Sequence, residues 1–102
     1  MRSIRYSRSF FEELATLLEQ VVDRFGAEVV SEKRARVLDA VTRHRVHFPE
    51  RPIDPAIGIC SRVVARTPFI LLYDFDDDEL RVHLIIHAHS DRATVDLSAV
   101  EW

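Results

Sequence analysis

Arg62 and Arg66 lie four residues apart in a stretch that alternates apolar with polar, so an extended strand would project both from one face. Two neighbouring guanidinium groups suit a phosphate, because each planar fork pairs two oxygens and never deprotonates. His87 adds a group that can take or give a proton near neutral pH. An anion clamp with an acid/base beside it is one chemistry these types could perform. The plainer alternative is two surface arginines paired with acidic neighbours and a hydrogen-bonded histidine at a strand end. His83, His87 and His89 alternate along the chain, and with Cys60 they raise the question of a metal. Zinc wants four convergent ligands, and the chain has no Cys-x-x-Cys, so no metal site is expected. Lys33, Arg34, Arg36 and Arg43 make one basic helix face, either solvated or docked on an acidic partner.

The elements that must position these residues are legible in the pattern. Ser3 to Tyr6 alternates like a short strand. Ser7 or Ser9 can cap the helix that follows, and Ser9 has Glu12 at capping-box spacing. Phe10, Leu14, Leu17, Leu18, Val21, Val22 and Phe25 recur at helical spacing, and Gly26 fits a left-handed helix end. A second helix is expected from Ala27 to about His44, with Val30, Val37, Leu38 and Val41 as its apolar stripe. A single Gly between two helices predicts a helical hairpin. Phe48 to Pro55 carries three prolines and reads as a rigid connection. Three strands follow, at Ile59 to Ala65, Phe69 to Phe75 and Leu80 to His87, with Asp76-Asp77-Asp78 as a turn. Strict alternation in the last strand would put Leu80, Val82, Leu84 and Ile86 on one face, and Arg81, His83, Ile85 and His87 on the other. The expected fold is α+β: an N-terminal strand and a helical hairpin on one face of a small antiparallel sheet, as one domain over 1–102. The sheet's other face would then carry Arg62, Arg66, His83 and His87. Tyr73 is expected in the core, and Trp102 against the body or a partner.

Composition narrows the class. The chain has 102 residues, 47% hydrophobic and 30% charged, with two Gly and four Pro. That excludes a disordered linker, a collagen-like chain and a dinucleotide fold with its Gly-rich turn. One Cys cannot close an internal disulfide, which fits a reducing compartment. The first residues lack the apolar run of a signal peptide, and Phe69 to Tyr73 falls far short of the roughly 20 residues that span a bilayer. A cytoplasmic protein with no membrane partner is expected. The net charge of −3 is uneven: residues 1–66 hold 12 Lys/Arg and 9 Asp/Glu, residues 67–102 only 2 and 8. A local basic face is therefore compatible with an acidic chain.

The order of elements and several local features resemble the RelE/ParE superfamily, the toxins of type II toxin–antitoxin modules of the plasmid stabilisation type. A strand runs directly into Phe10-Phe11-Glu12-Glu13-Leu14. Phe48-Pro49-Glu50-Arg51-Pro52 is similar to the family's connection after its second helix. Arg62-Val63-Val64 followed by Pro68-Phe69-Ile70-Leu71-Leu72-Tyr73 resembles a basic second strand and an apolar third strand ending in Tyr. Asp76 to Glu79 matches the acidic hairpin turn. Ile86-His87-Ala88-His89-Ser90-Asp91 resembles the closing motif, with Ala88 where Gly is common and Ser90 where Arg is common.

The resemblance implies a cognate antitoxin, and either of two targets. A ParE-like toxin inhibits DNA gyrase by binding it and uses no catalytic residue. The surfaces involved would then include Lys33, Arg34, Arg36, Arg43, His83, Asp91 and Trp102. A RelE-like toxin cuts mRNA on the ribosome, with attack of the RNA 2′-hydroxyl on the adjacent phosphate. Arg62, Arg66 and His87 would be its clamp and acid/base. A third possibility is an inactive member that keeps only antitoxin binding. The ParE-like function is the expectation, since ribosomal docking wants a more basic chain. No cofactor is implied by any of the three.

Overall fold

The structure, a computed structural model, describes residues 3–46 and 53–102. β1 (Ser3–Tyr6) leads into α1 (Arg8–Phe25) and α2 (Ala27–Val46). β2 (Cys60–Val63), β3 (Phe69–Phe75) and β4 (Glu79–His87) follow, then two 3₁₀ turns at Arg92–Thr94 and Leu97–Ala99. The α+β fold expected from the sequence is the fold observed. The Phe48 to Pro52 connection lies outside the described residues.

α1 begins where it does because Ser7 is extended, at φ −73° and ψ 156°, and its Oγ accepts the Phe10 N–H at 2.8 Å. Ser9, the other candidate cap, lies inside the helix. Its hydroxyl accepts the N–H of Glu101 at 2.8 Å instead. Gly26 ends α1 at φ 89°, a conformation that side chains with a Cβ rarely adopt.

The sheet order is β1-β4-β3-β2. The meander β2–β3–β4 is antiparallel, whereas β1 pairs β4 in parallel, from Ser3 opposite Glu79 to Tyr6 opposite Val82. The sheet is therefore not wholly antiparallel. The helical hairpin separates β1 from the meander, and β4 returns beside β1 in the same direction.

One face of the sheet packs on the helices. Phe10, Leu14, Leu17, Leu18 and Val21 of α1 and Val37 and Val41 of α2 form one buried cluster with Cys60, Val64, Phe69, Leu71, Tyr73, Leu80, Val82 and Ile85. Burying this many large apolar side chains is the main force that holds the fold. Val22 and Phe25, which share the helical spacing of α1, are 43% and 65% exposed. They extend beyond the sheet that covers the rest of the stripe.

β4 departs from the strict alternation expected of it. Tyr73 pairs Val82 and Leu72 pairs Leu84, so His83 is an extra residue, a β-bulge. The bulge reverses the facing of everything after it. Ile85 is completely buried in the helix-side core and His87 lies on the same side, while Leu84 and Ile86 turn to the other face. Ser7 holds this irregularity in place. It is completely buried, its N–H donates to Val82 O at 3.0 Å, and its hydroxyl donates to His83 O.

The Ser7 hydroxyl thus serves the α1 cap and the bulge carbonyl together. Ser7→Ala leaves both groups short of a partner and should cost about 2–3 kcal/mol. Urea unfolding measures it, with Ser3→Ala, an exposed hydroxyl 3.3 Å from Asp78 O, as a control expected within about 0.5 kcal/mol of the parent.

Candidate functional site

The structure divides the residues singled out from the sequence among three places. The first is the junction of α2 with β2. Cys60, Arg62 and Val64 share the helix-side face, so Arg62 lies beside Arg36, Asp39 and Ala40 of α2 around a cleft of about 100 Å³. Arg66 sits beyond β2 in a tight turn at φ 61°, and its carbonyl accepts the Lys33 ammonium at 2.6 Å. Arg36 holds Glu32 through two bonds of 2.8 and 3.1 Å, one turn earlier on α2. The Arg36 bond is the largest cause of a Glu32 carboxyl below its usual range. Arg34 is exposed and makes no ion pair among the described residues. The Arg43 side chain lies outside the described residues. Lys33 and Arg36 of the basic helix face thus meet the Arg66 turn and Arg62 of β2, remote in sequence, with Glu32 and Asp39 among them.

The second place is the sheet face away from the helices, which is not free throughout as expected, since Ile70 and Leu72 of β3 are buried there. Arg81 is its centre. Its Nε and Nη2 reach the two oxygens of Asp74 at 2.9 and 3.3 Å, and Nη1 reaches Asp76 at 2.9 Å and Glu79 at 3.4 Å. His83 Nε2 lies 2.9 Å from Asp74 Oδ1. Burial pushes the Asp74 carboxyl up, but the bonds from Arg81 and His83 outweigh it and hold the group below its ordinary value. Asp74 is then an acceptor only, so the proton of that contact sits on His83 Nε2. The other ring nitrogen, Nδ1, is buried and makes no hydrogen bond among the described residues. The Trp102 ring meets the His83 ring edge-on at 4.7 Å, and the Arg5 guanidinium lies 5.0 Å from the Trp102 centroid. Trp102 thus packs against the body, on this face. Asp74, Arg81 and Arg5 were not singled out from the sequence. An Asp in an otherwise apolar strand, with an Arg across the hairpin, was the signal available.

The third place is the far end of β4. His87 faces α1, beside Leu17, Val21 and Phe69. Its Nδ1 accepts the His89 N–H at 3.1 Å, and the two imidazoles stack at 5.1 Å. Asp91 accepts the Ala93 N–H at 2.9 Å and starts a 3₁₀ turn.

The open-face grouping of Arg62, Arg66, His83 and His87 is therefore corrected. Only His83 is there. The bulge rotates His87 to the helix side, Arg62 alternates with core residues, and Arg66 is in a turn. The same bulge sets His83 and His87 on opposite faces, and no group of three potential metal ligands converges among the described residues. Burial, with the Asp74 charge adding to it, pushes the Cys60 thiol up, so it is no ready thiolate ligand.

No protein-family model and no curated protein sequence matches the chain. Among solved structures, it is similar to a chain of the chromosomal ParDE toxin–antitoxin system of P. aeruginosa, with a TM-score of 0.74 and 16% identity over 85% of this chain and 96% of that one. At that identity the likeness is one of fold. No described helix is long and apolar enough to cross a membrane.

The Arg81 network sets a pH dependence. The bond from Arg81 leads the causes that hold Asp76 at about 2, and Asp74 is also lowered. Groups depressed in the folded state stabilise it above the ordinary carboxylate range and lose that contribution as the pH falls through their folded values. Melting temperature should therefore drop as pH falls from about 5 to about 2.5, and Arg81→Met, less stable at neutral pH, should show a smaller drop over the same interval. Melting curves of both proteins by circular dichroism check this.

Proposed function

We propose that this chain is the toxin of a type II toxin–antitoxin pair, acting in the ParE manner by binding DNA gyrase. The observation that carries the proposal is the fold, shared over most of both chains with a member of a ParDE system. The arrangement of the candidate catalytic residues supports binding over RNA cleavage. A phosphodiester cleavage site needs its cations and its acid/base around one phosphorus. Arg62, Arg66 and His87 occupy a helix–strand cleft, a turn and the far end of β4. Arg81, which shares Asp74 with His83, is engaged by three carboxylates. A binding toxin needs no such convergence. It needs a surface, and the junction of Lys33, Arg36, Arg62 and Arg66, with the exposed Arg34 nearby in sequence, offers more cations than its carboxylates Glu32 and Asp39 to an acidic partner.

Induced expression in a bacterial host tests the proposal. The expected outcome is growth arrest with filamentation, trapped gyrase–DNA complexes and intact mRNA. Arrest with mRNA cut within codons would instead establish the RelE-like activity. Continued growth with soluble, folded protein would leave a binding-only member of the fold. Arg34→Glu reverses an exposed, unpaired charge, and should weaken the antitoxin complex about tenfold at low salt and less at high salt. Calorimetric titration at two salt concentrations measures that change.

A further inference from the structure

Residues 88–102 follow β4 and return across the sheet face that looks away from the helices. The segment leaves β4 with the Ala88 N–H donating to Pro68 O at 2.7 Å. Farther on, Ala99 and Val100 share a cleft with Leu84 of β4, and Trp102 reaches His83. None of its described residues is buried. The polar groups in its middle turn back on the segment itself. Asp91 accepts the Ala93 N–H at 2.9 Å and the Thr94 hydroxyl at 2.7 Å, and Asp96 accepts the Ser98 N–H at 3.0 Å. Its far end is fastened to the body by two residues. Glu101 exchanges backbone bonds with Ser9, at 3.2 Å to its carbonyl and 2.8 Å from its N–H to the Ser9 hydroxyl. Trp102 meets the His83 ring edge-on at 4.7 Å and has the Arg5 guanidinium 5.0 Å from its centroid. The Arg8–Glu101 pair is exposed on both sides, so water screens it and it adds little.

Between its fastened ends the segment stands off the body. A cleft of about 290 Å³ separates Asp96, Ala99 and Val100 from Ser9, Glu12 and Glu13 of α1, with Leu84 as its apolar floor. Three carboxylates share this space and no described cation lines it. Their like charges oppose tighter closure. Releasing such a segment breaks the few contacts at its end, whereas global unfolding breaks the whole core. His83 lies under the latch. Its Nε2 is held by Asp74 at 2.9 Å, and its Nδ1 is buried with no hydrogen bond among the described residues.

We propose that the segment is an intramolecular strap, latched by Trp102 on His83 and by Glu101 on Ser9, and that it opens at this latch while the fold stays intact. Closed, it masks His83 and Leu84 against outside contacts. Open, it presents the Nδ1 of His83 to solvent, with the ring still aimed by Asp74. The device is independent of the toxin proposal, because it rests on contacts within this chain.

Carbethoxylation of histidine by diethyl pyrocarbonate, read by peptide mass spectrometry on the full chain, tests the latch. The reagent attacks an unprotonated ring nitrogen that solvent reaches, so His83 reports opening and the exposed His89 is the internal reference. Trp102→Ala removes both ring contacts and should raise the His83 rate about tenfold relative to His89. Trp102→Phe keeps a ring on His83 and should stay within about twofold of the parent. Deuterium exchange on the same proteins should show the amides of Leu97 to Trp102 exchanging well before those of Phe69 to Phe75, with the β3 amides unchanged by Trp102→Ala. An unchanged His83 rate in Trp102→Ala, a Trp102→Phe variant as reactive as Trp102→Ala, or strap amides that exchange together with β3 would each overturn the proposal. So would a rise in the His83 rate matched by faster exchange throughout β3, since that is loosening of the fold and not release of a strap.

Discussion

Two features of this fold meet at one hydroxyl. Ser7 is buried at the point where β1 ends and α1 begins, and it touches the extra residue of β4. Its oxygen accepts the Phe10 N–H in the first turn of α1, its proton goes to the bulge carbonyl, and its own N–H continues the β1–β4 ladder. A buried polar group with every bond made fixes the groups around it, since any alternative leaves a donor or acceptor stranded. The helix start and the strand irregularity are therefore set together. Everything beyond the bulge takes its facing from that arrangement, including Ile85 in the core and His87 beside α1.

Charge in the molecule is sorted into engaged and free. On the open face, Arg81 draws Asp74, Asp76 and Glu79 into one network, and His83 joins it through Asp74. That network links the two strands at the acidic end of the β3–β4 hairpin and neutralises part of the carboxylate-rich C-terminal third. On the other side, Arg24 and Arg34 are left without ion partners among the described residues. The chain is acidic as a whole, yet these two cations without ion partners sit on the helices. An acidic partner would therefore meet the helical side and the β2–β3 turn, and be repelled from the hairpin tip.

The C-terminal segment ties the two ends of the described chain together. Ser9 N–H donates to Glu101 O at 3.2 Å and Glu101 N–H returns to Ser9 Oγ at 2.8 Å. Arg8 lies 3.5 Å from the Glu101 carboxylate. The first turn of α1 has no acidic residue of its own. Glu101 supplies negative charge there, where the positive end of the helix dipole favours it. Trp102 then reaches the His83 ring, so the tail braces the same corner that Ser7 organises.

What the sequence determined by itself is local. Helical spacing from Phe10 to Val21, the Gly26 break and the apolar run Phe69 to Phe75 each depend on neighbours within a few positions, and each appears where the pattern places it. Their order was enough to define an α+β sheet with a helical hairpin. That Lys33 and Arg36 of α2 share a side was legible too, because residues three apart on a helix are neighbours whatever the fold. The site was not legible to the same degree. A bulge adds one residue without any composition signal, since His83 sits in an unbroken alternation, and only its pairing with Ser7 and β3 reveals it. Parallel pairing of β1 with β4, the meeting of Lys33 with the Arg66 turn, and the cleft between α1 and β3 at Phe25 all join residues far apart in the chain. Such contacts are set by how layers pack in three dimensions, and periodicity along one dimension carries no information about them.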